Sequence, residues 1–176
     1  MVPAEEKIDF NQVRFEILTT KHNTNKFCCN VQEIDEFIHK EAMDFQNERL
    51  GVTYLLFLKG ELIGFVTLSM ADLRKEKMEE EERLRIGKEN YPALQISQLA
   101  RQKDLVDQDI GTFLCDFCLG KAEEFSEKVG CRFLVLNARR KVVGFYEKYG
   151  FKLLPRQEKR REPIMYLNIF SKGKIE

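Results

Sequence analysis

The sequence predicts an α/β sandwich around one largely antiparallel sheet, and three observations carry that expectation. Two β-rich runs, residues 52–58 and 62–69, flank Lys59-Gly60-Glu61, a tight-turn signal that makes them neighbouring antiparallel strands. Helical spacing recurs twice, first through Val31, Ile34, Phe37, Ile38, Ala42 and Phe45, then through Ile110, Leu114, Phe117, Lys121 and Phe125 with Phe113 beside them. Short apolar strands then alternate with helices to the end of the chain.

In chain order, a short tail leads into a strand at 13–18. Asn30 with Glu33 three residues on matches a helix cap and opens the first amphipathic helix. Charges dominate residues 74–88, with an acidic block at 79–82, and predict a solvated helix and loop on the surface. Tyr91-Pro92 closes that stretch, because proline biases its predecessor toward extended geometry. A strand at 94–100 follows, then a long helix from Ile110 to Gly130 and a buried strand at 133–136. A short helix at 141–149 and strands at 151–154 and 164–169 complete the sheet. There is no internal repeat and no low-complexity linker, so a single domain of 176 residues is expected. A domain of this size buries roughly 70% of the surface of its unfolded chain.

Lys plus Arg and Asp plus Glu both number 29, which removes any global basic field that would draw the chain onto nucleic acid or anionic membrane. Such binding would need a local patch. No apolar run approaches the 18 or so residues of a membrane span, and residues 1–10 carry acids where a signal peptide would have a basic start. A cytoplasmic protein is expected. Five cysteines, at 28, 29, 115, 118 and 131, cannot all pair within one chain and are expected to be thiols. Cys115 and Cys118 have metal-ligand spacing but lie in an apolar helical run with no second pair, so they read as small buried hydrophobes and no metal is expected. His22 and His39 have no partners at recognisable spacing and read as surface histidines.

The order from Leu94 to Phe151 is strand, glycine-marked helix start, helix, strand and then Gly144-Phe145-Tyr146-Glu147-Lys148-Tyr149-Gly150-Phe151. It resembles the cofactor-binding half of the GNAT acetyltransferases. Further pieces extend the likeness: Phe27-Cys28-Cys29-Asn30 leading into Glu33-Ile34-Asp35-Glu36-Phe37-Ile38, then Ile63-Gly64-Phe65-Val66-Thr67-Leu68-Ser69, then Tyr91-Pro92 ahead of Gln98-Leu99-Ala100. Together they are similar to the branch that contains the acetyltransferase toxins of bacterial toxin–antitoxin pairs.

The resemblance implies a GNAT fold, with a mixed, largely antiparallel sheet flanked by helices on both faces. It also implies acetyl-CoA as co-substrate and transfer of acetyl to a primary amine. Backbone groups around Leu99 and Ala100 would polarise the thioester carbonyl, and those of Ile110 and Gly111 would meet the diphosphate. Tyr146 would be the general acid for the departing thiolate. Implied partners are a tRNA or peptide amine as acceptor, an antitoxin-like protein, and a second copy of the chain in a homodimer.

Departures from the family pattern gather in the phosphate loop. Where the family shows Gln/Arg-x-x-Gly-x-Gly/Ala, this chain reads Val106, Asp107, Gln108, Asp109, Ile110, Gly111, keeping only the last glycine. Acids at a helix start ordinarily stabilise the free helix, but near a diphosphate each is a like charge. At about 5 Å and an effective dielectric of about 20, Coulomb's law gives roughly 3 kcal/mol per pair of charges before screening. Arg101 and Lys103 would offset this if they folded over the phosphates. The competing expectation is a degenerate GNAT fold that binds without acetyl transfer.

For the acceptor, the strand at 94–100 has no acid to serve as base, only Gln95, Ser97 and Gln98. That suits an α-amine, with a pKa near 8, better than a lysine side chain near 10.4. Basic runs that would contact RNA are Arg139-Arg140-Lys141 and Arg156 with Lys159-Arg160-Arg161.

Overall fold

The structure, a computed structural model, describes residues 7–170. It holds one seven-stranded sheet in the order β1-β2-β3-β4-β5-β7-β6. These are β1 (Val13–Ile17), β2 (Val52–Leu58), β3 (Glu61–Arg74), β4 (Asn90–Arg101), β5 (Phe133–Asn137), β6 (Lys152–Leu153) and β7 (Ile164–Asn168). The β4–β5 pairing is parallel over Ala93–Ile96 and Phe133–Leu136, while β1–β2, β2–β3, β5–β7 and β6–β7 are antiparallel. Four α-helices accompany the sheet: α1 (Gln32–Glu36), α2 (Ala42–Asn47), α3 (Ile110–Lys128) and α4 (Val143–Tyr149). The mixed, largely antiparallel sheet and the α/β class therefore agree with the sequence.

The chain divides into two compact units, the first formed by residues up to Ser69 with Ser97–Asp116 and the second by Met70–Ile96 with Phe117 onward. In the first, the β2–β3 turn carries Lys59 at φ 50° and Gly60 at φ 84°, the two left-handed residues that a tight hairpin requires. Phe65 on β3 packs with Leu55, Ala100, Phe37, Ile38 and Ala42 into one core cluster, which seats the α1–α2 segment. Its neighbour Gly64 faces the opposite way, since side chains alternate along a strand. A Cβ there would lie 3.2 Å from Ile110 Cγ2 and 3.3 Å from Leu114 Cδ1, so α3 covers that second face.

The second unit has its own cluster, in which Leu73, Met78, Tyr91, Ala93, Phe133, Val135, Leu154 and Tyr166 are buried. Burial, then the charges of Glu82 and Glu79, push the Tyr166 phenol up to about 12. Residues 75–89 supply part of this cluster and correct the expected solvated helix. They form two 3-10 turns, Lys75–Lys77 and Glu80–Glu82. Met78 is buried between these turns, Leu84 N–H donates to the Tyr91 hydroxyl (3.1 Å), and Glu82 pairs with Lys152. Leu73, Met78 and Leu84 are five and six residues apart, a spacing that makes no helical stripe.

The expected cap at Asn30 is also corrected. Asn30 lies at φ 62°, whereas an N-cap needs extended backbone; Val31 takes that position without a side-chain bond. Asp35 Oδ1 instead accepts the Cys29 N–H (2.8 Å). Between α1 and α2 the helix widens into a π-helical stretch, Phe37–Glu41, where Ala42 N–H reaches back to Phe37 O. The buried Thr24 hydroxyl donates to Ile38 O (3.0 Å) and His39 Nε2 to Phe27 O (2.8 Å), which ties the preceding loop to this stretch.

Gly64→Val should destabilise the protein by roughly 1–3 kcal/mol, because α3 and the Ala100 carbonyl, 3.1 Å from the added Cβ, leave no room. Urea unfolding measures this, and an unchanged midpoint would show that α3 can move off β3 freely.

Candidate functional site

The sequence places its cofactor-binding candidates at the end of β4 and the start of α3, and the structure brings those two segments together in the first unit. Ala100 O and Ile110 Cγ2 both lie within 3.2 Å of the position a Gly64 Cβ would take. Leu99 is half-buried and Ala100 buried. The β4–β5 ladder ends at Ile96↔Leu136, so Ser97–Arg101 continue without β5.

β4 is also irregular. Gln102 N–H donates to Ile63 O (2.8 Å) at one end of its pairing with β3, and Lys75 N–H to Glu89 O (2.8 Å) at the other. Paired antiparallel strands advance equally between such bonds. Here β3 advances twelve residues from Ile63 to Lys75 and β4 thirteen from Glu89 to Gln102, so β4 holds one extra residue, a β-bulge. Bulges re-aim backbone groups and gather next to active sites. On the same strand the Ser97 hydroxyl is tied to that of Ser69 (2.7 Å), leaving β4 with no acid and no free base.

The loop from β4 to α3 is held at three points. Gln102 Oε1 accepts the Cys28 N–H (2.8 Å), Lys103 N–H donates to Cys28 O (2.8 Å), and Gln108 Oε1 accepts the Ile8 N–H (2.9 Å). Phe10 stacks on Phe113 of α3 with ring centres 4.4 Å apart, which lays residues 8–12 against the helix start. Sequence reasoning missed this brace, since no local pattern links Ile8 to Gln108. Arg101 Nη1 donates to the Gln102 carbonyl (3.2 Å), and Lys103 is exposed.

Asp109 stands where the family has its first glycine, and it adopts φ 56°. That left-handed conformation favours glycine, with Asp and Asn the commonest substitutes because a short polar side chain tolerates it. Aspartate therefore holds here a backbone shape that a glycine would take without strain. Asp109 O accepts the Phe113 N–H (3.0 Å), and Ile110 and Gly111 open a 19-residue helix. A helix start offers N–H groups without intrahelical partners and the positive end of the dipole, which together suit a diphosphate. Asp107 and Asp109 are exposed, and neither is in a salt bridge among the described residues.

Tyr146 lies in the second unit, on α4. It is 8% exposed and sits edge-on to Phe145 (5.1 Å) and Phe151 (5.5 Å), so its ring is fixed on two sides. Tyr146 O accepts the N–H groups of Gly150 and Phe151, and Gly150 ends the helix at φ 117°. Tyr149 packs against Phe151 (5.9 Å).

The two histidines are held rather than loose. Thr19 N–H donates to His22 Nδ1 (3.0 Å), which leaves the proton on Nε2 for Glu16 Oε2 (2.9 Å), and the ring stacks on Phe57. None of the five cysteines is in a disulfide; burial pushes the Cys115 thiol up to about 12, with Asp116 adding to it, and pushes Cys29 to about 12 with help from Asp35. Among the described residues no three His, Cys, Asp or Glu side chains converge as metal ligands, and no helix is long and apolar enough to cross a membrane.

A model of the acetyltransferase (GNAT) family matches residues 16–151. The chain belongs to the GNAT acetyltransferase family. No curated protein matches it. Among solved structures, this GNAT chain is similar to AtaT complexed with acetyl-methionyl-tRNAfMet, at TM-score 0.79 and 20% identity over 89% of this chain and 94% of that one. A tyrosine-to-phenylalanine mutant of KacT matches at TM-score 0.80 and 19% identity over 90% and 95%. AtaTR bound with AcCoA matches at TM-score 0.76 and 20% identity over 90% and 95%. At these identities the likeness is one of fold.

The left-handed backbone at Asp109 sets an order of stability: Asp109→Gly should equal or exceed the parent, and Asp109→Val should lose about 1–2 kcal/mol, since a β-branched residue is strained there. Thermal unfolding gives the ranking. A valine variant as stable as the glycine one would contradict that conformation.

Proposed function

We propose that this GNAT protein is a single-domain, cytoplasmic N-acetyltransferase that uses acetyl-CoA and acts on a primary amine. The observation that supports the proposal is the left-handed Asp109 ahead of α3, a backbone conformation that suits the glycine expected at this position of a phosphate loop. One domain is favoured because β3, β4 and α3 each contribute residues to both compact units, so neither unit could separate without cutting them.

Acetyl-CoA would supply the acetyl thioester. N–H groups at Ile110 and Gly111 would hold its diphosphate, and the backbone around Leu99 and Ala100, re-aimed by the β4 bulge, would stabilise charge developing on the carbonyl oxygen. Tyr146 would give its phenolic proton to the departing sulfur, a role suited to a ring fixed by Phe145 and Phe151. With no acid on β4, the acceptor would be an amine already free near neutral pH. The α-amine of an aminoacyl-tRNA satisfies this, and AtaT, a neighbour in fold, is seen with an acetylated one. An antitoxin-like partner is supported in the same way by the structure of AtaT bound to the C-terminus of the antitoxin AtaR.

Asp109→Gly should tighten acetyl-CoA binding in calorimetric titration, with a gain that shrinks as salt rises. Weaker binding would mean that Asp109 helps to hold the cofactor. Tyr146→Phe should leave that affinity and the fold nearly unchanged while lowering turnover by about 10² to 10⁴. Undiminished turnover would reduce Tyr146 to a packing residue.

A further inference from the structure

Two basic runs that are separate in sequence meet through one side chain. Arg140, expected to face phosphate, instead turns its guanidinium into the loop between β6 and β7, where Nε donates to Arg160 O (2.9 Å) and Nη2 to Gln157 O and Glu158 O (both 2.6 Å). Other bonds close the same loop: Ile164 N–H to Gln157 Oε1 (3.1 Å), Arg160 N–H to Gln157 O (3.1 Å), and Ala138 N–H to Pro163 O (2.8 Å). Arg156 is held there at φ 60°, and Arg156, Lys159, Arg160 and Arg161 are exposed, as is Lys141.

Residues 139–141 carry three cations, and residues 156–162 carry four against Glu158 and Glu162, a local excess of five in a chain of net charge zero. Arg139 is half-buried beside them, and its buried Nη1 has no partner among the described residues.

We infer that Arg140 is a positioning residue, a clamp that shapes the β6–β7 loop into one cationic surface for a phosphodiester backbone. The inference rests on the reading of an RNA-borne acceptor and assigns it a surface. An RNA fits better than an acidic protein: protein interfaces have an apolar centre, and here the flanking Leu154 and Pro163 are buried while arginines dominate what is exposed. A fork-shaped guanidinium can bond several carbonyls at once, which the point charge of a lysine cannot copy. Arg140→Lys therefore keeps the charge and loses the clamp.

The test titrates unacylated tRNA at several salt concentrations against wild type, Arg140→Lys and the Lys159→Ser/Arg160→Ser/Arg161→Ser triple variant, with hydrogen exchange followed at residues 156–162. The triple variant should flatten the salt slope by roughly two units, because each phosphate left without its cation takes about 0.7–0.9 off the slope. The clamp predicts that Arg140→Lys flattens it comparably and speeds exchange in the loop, while acetyl-CoA affinity stays as in wild type. Wild-type slope and exchange in Arg140→Lys would overturn the inference. So would a wild type that fails to bind tRNA at low salt; if acetyl-CoA still bound, the RNA reading would have failed and the acetyltransferase reading would stand.

Discussion

The close approach of α3 to β3 at Gly64 is the contact on which the candidate cofactor site depends. With no Cβ at that position, the first turn of the helix lies directly on the strand, and Ile110, Leu114 and the Ala100 carbonyl all come within 3.3 Å of where one would stand. A helix pushed outward by a side chain would carry its N-terminal amides away from the end of β4. One missing methyl thus sets the spacing between the groups proposed for the thioester carbonyl and those proposed for the diphosphate.

A second constraint acts on the backbone. The β4–α3 loop is fixed at Cys28 and at Ile8, both far away in sequence, and enters the helix through a left-handed Asp109. That conformation is disfavoured for any side chain, and surrounding structure must over-determine it. Aspartate tolerates it better than most residues, so the loop takes this shape without a glycine. In the proposed cofactor site the two acids would act on the strength of anion binding and leave the shape of the loop alone.

Much of the fold was legible because the signals were local. The Lys59-Gly60 turn, the alternation of β2 and β3, and the helical spacing from Ile110 to Phe125 each follow from neighbours in sequence, as does the Tyr146 motif ending at Gly150-Phe151. Long-range bonds were not legible. Asn30 matches a cap by type, but its backbone is left-handed and Asp35 takes over the neighbouring N–H. Arg140 looked like one cation in a run of three, and only the fold shows it bonded to carbonyls up to twenty residues away. The extra residue in β4 leaves no mark in composition and appears only when its pairing with β3 is counted from both ends. His22 and His39 looked solitary because their partners include a backbone N–H and a backbone carbonyl, which no side-chain pattern reveals.

The central claim is that an altered phosphate loop still serves an acetyltransferase. Calorimetric titration of the unmodified protein with acetyl-CoA tests it most directly. Saturable binding at one site per chain, displaced by free coenzyme A, is the predicted result. No saturable heat at any salt concentration, from a protein that remains folded, would contradict the claim and leave a GNAT fold that binds something else.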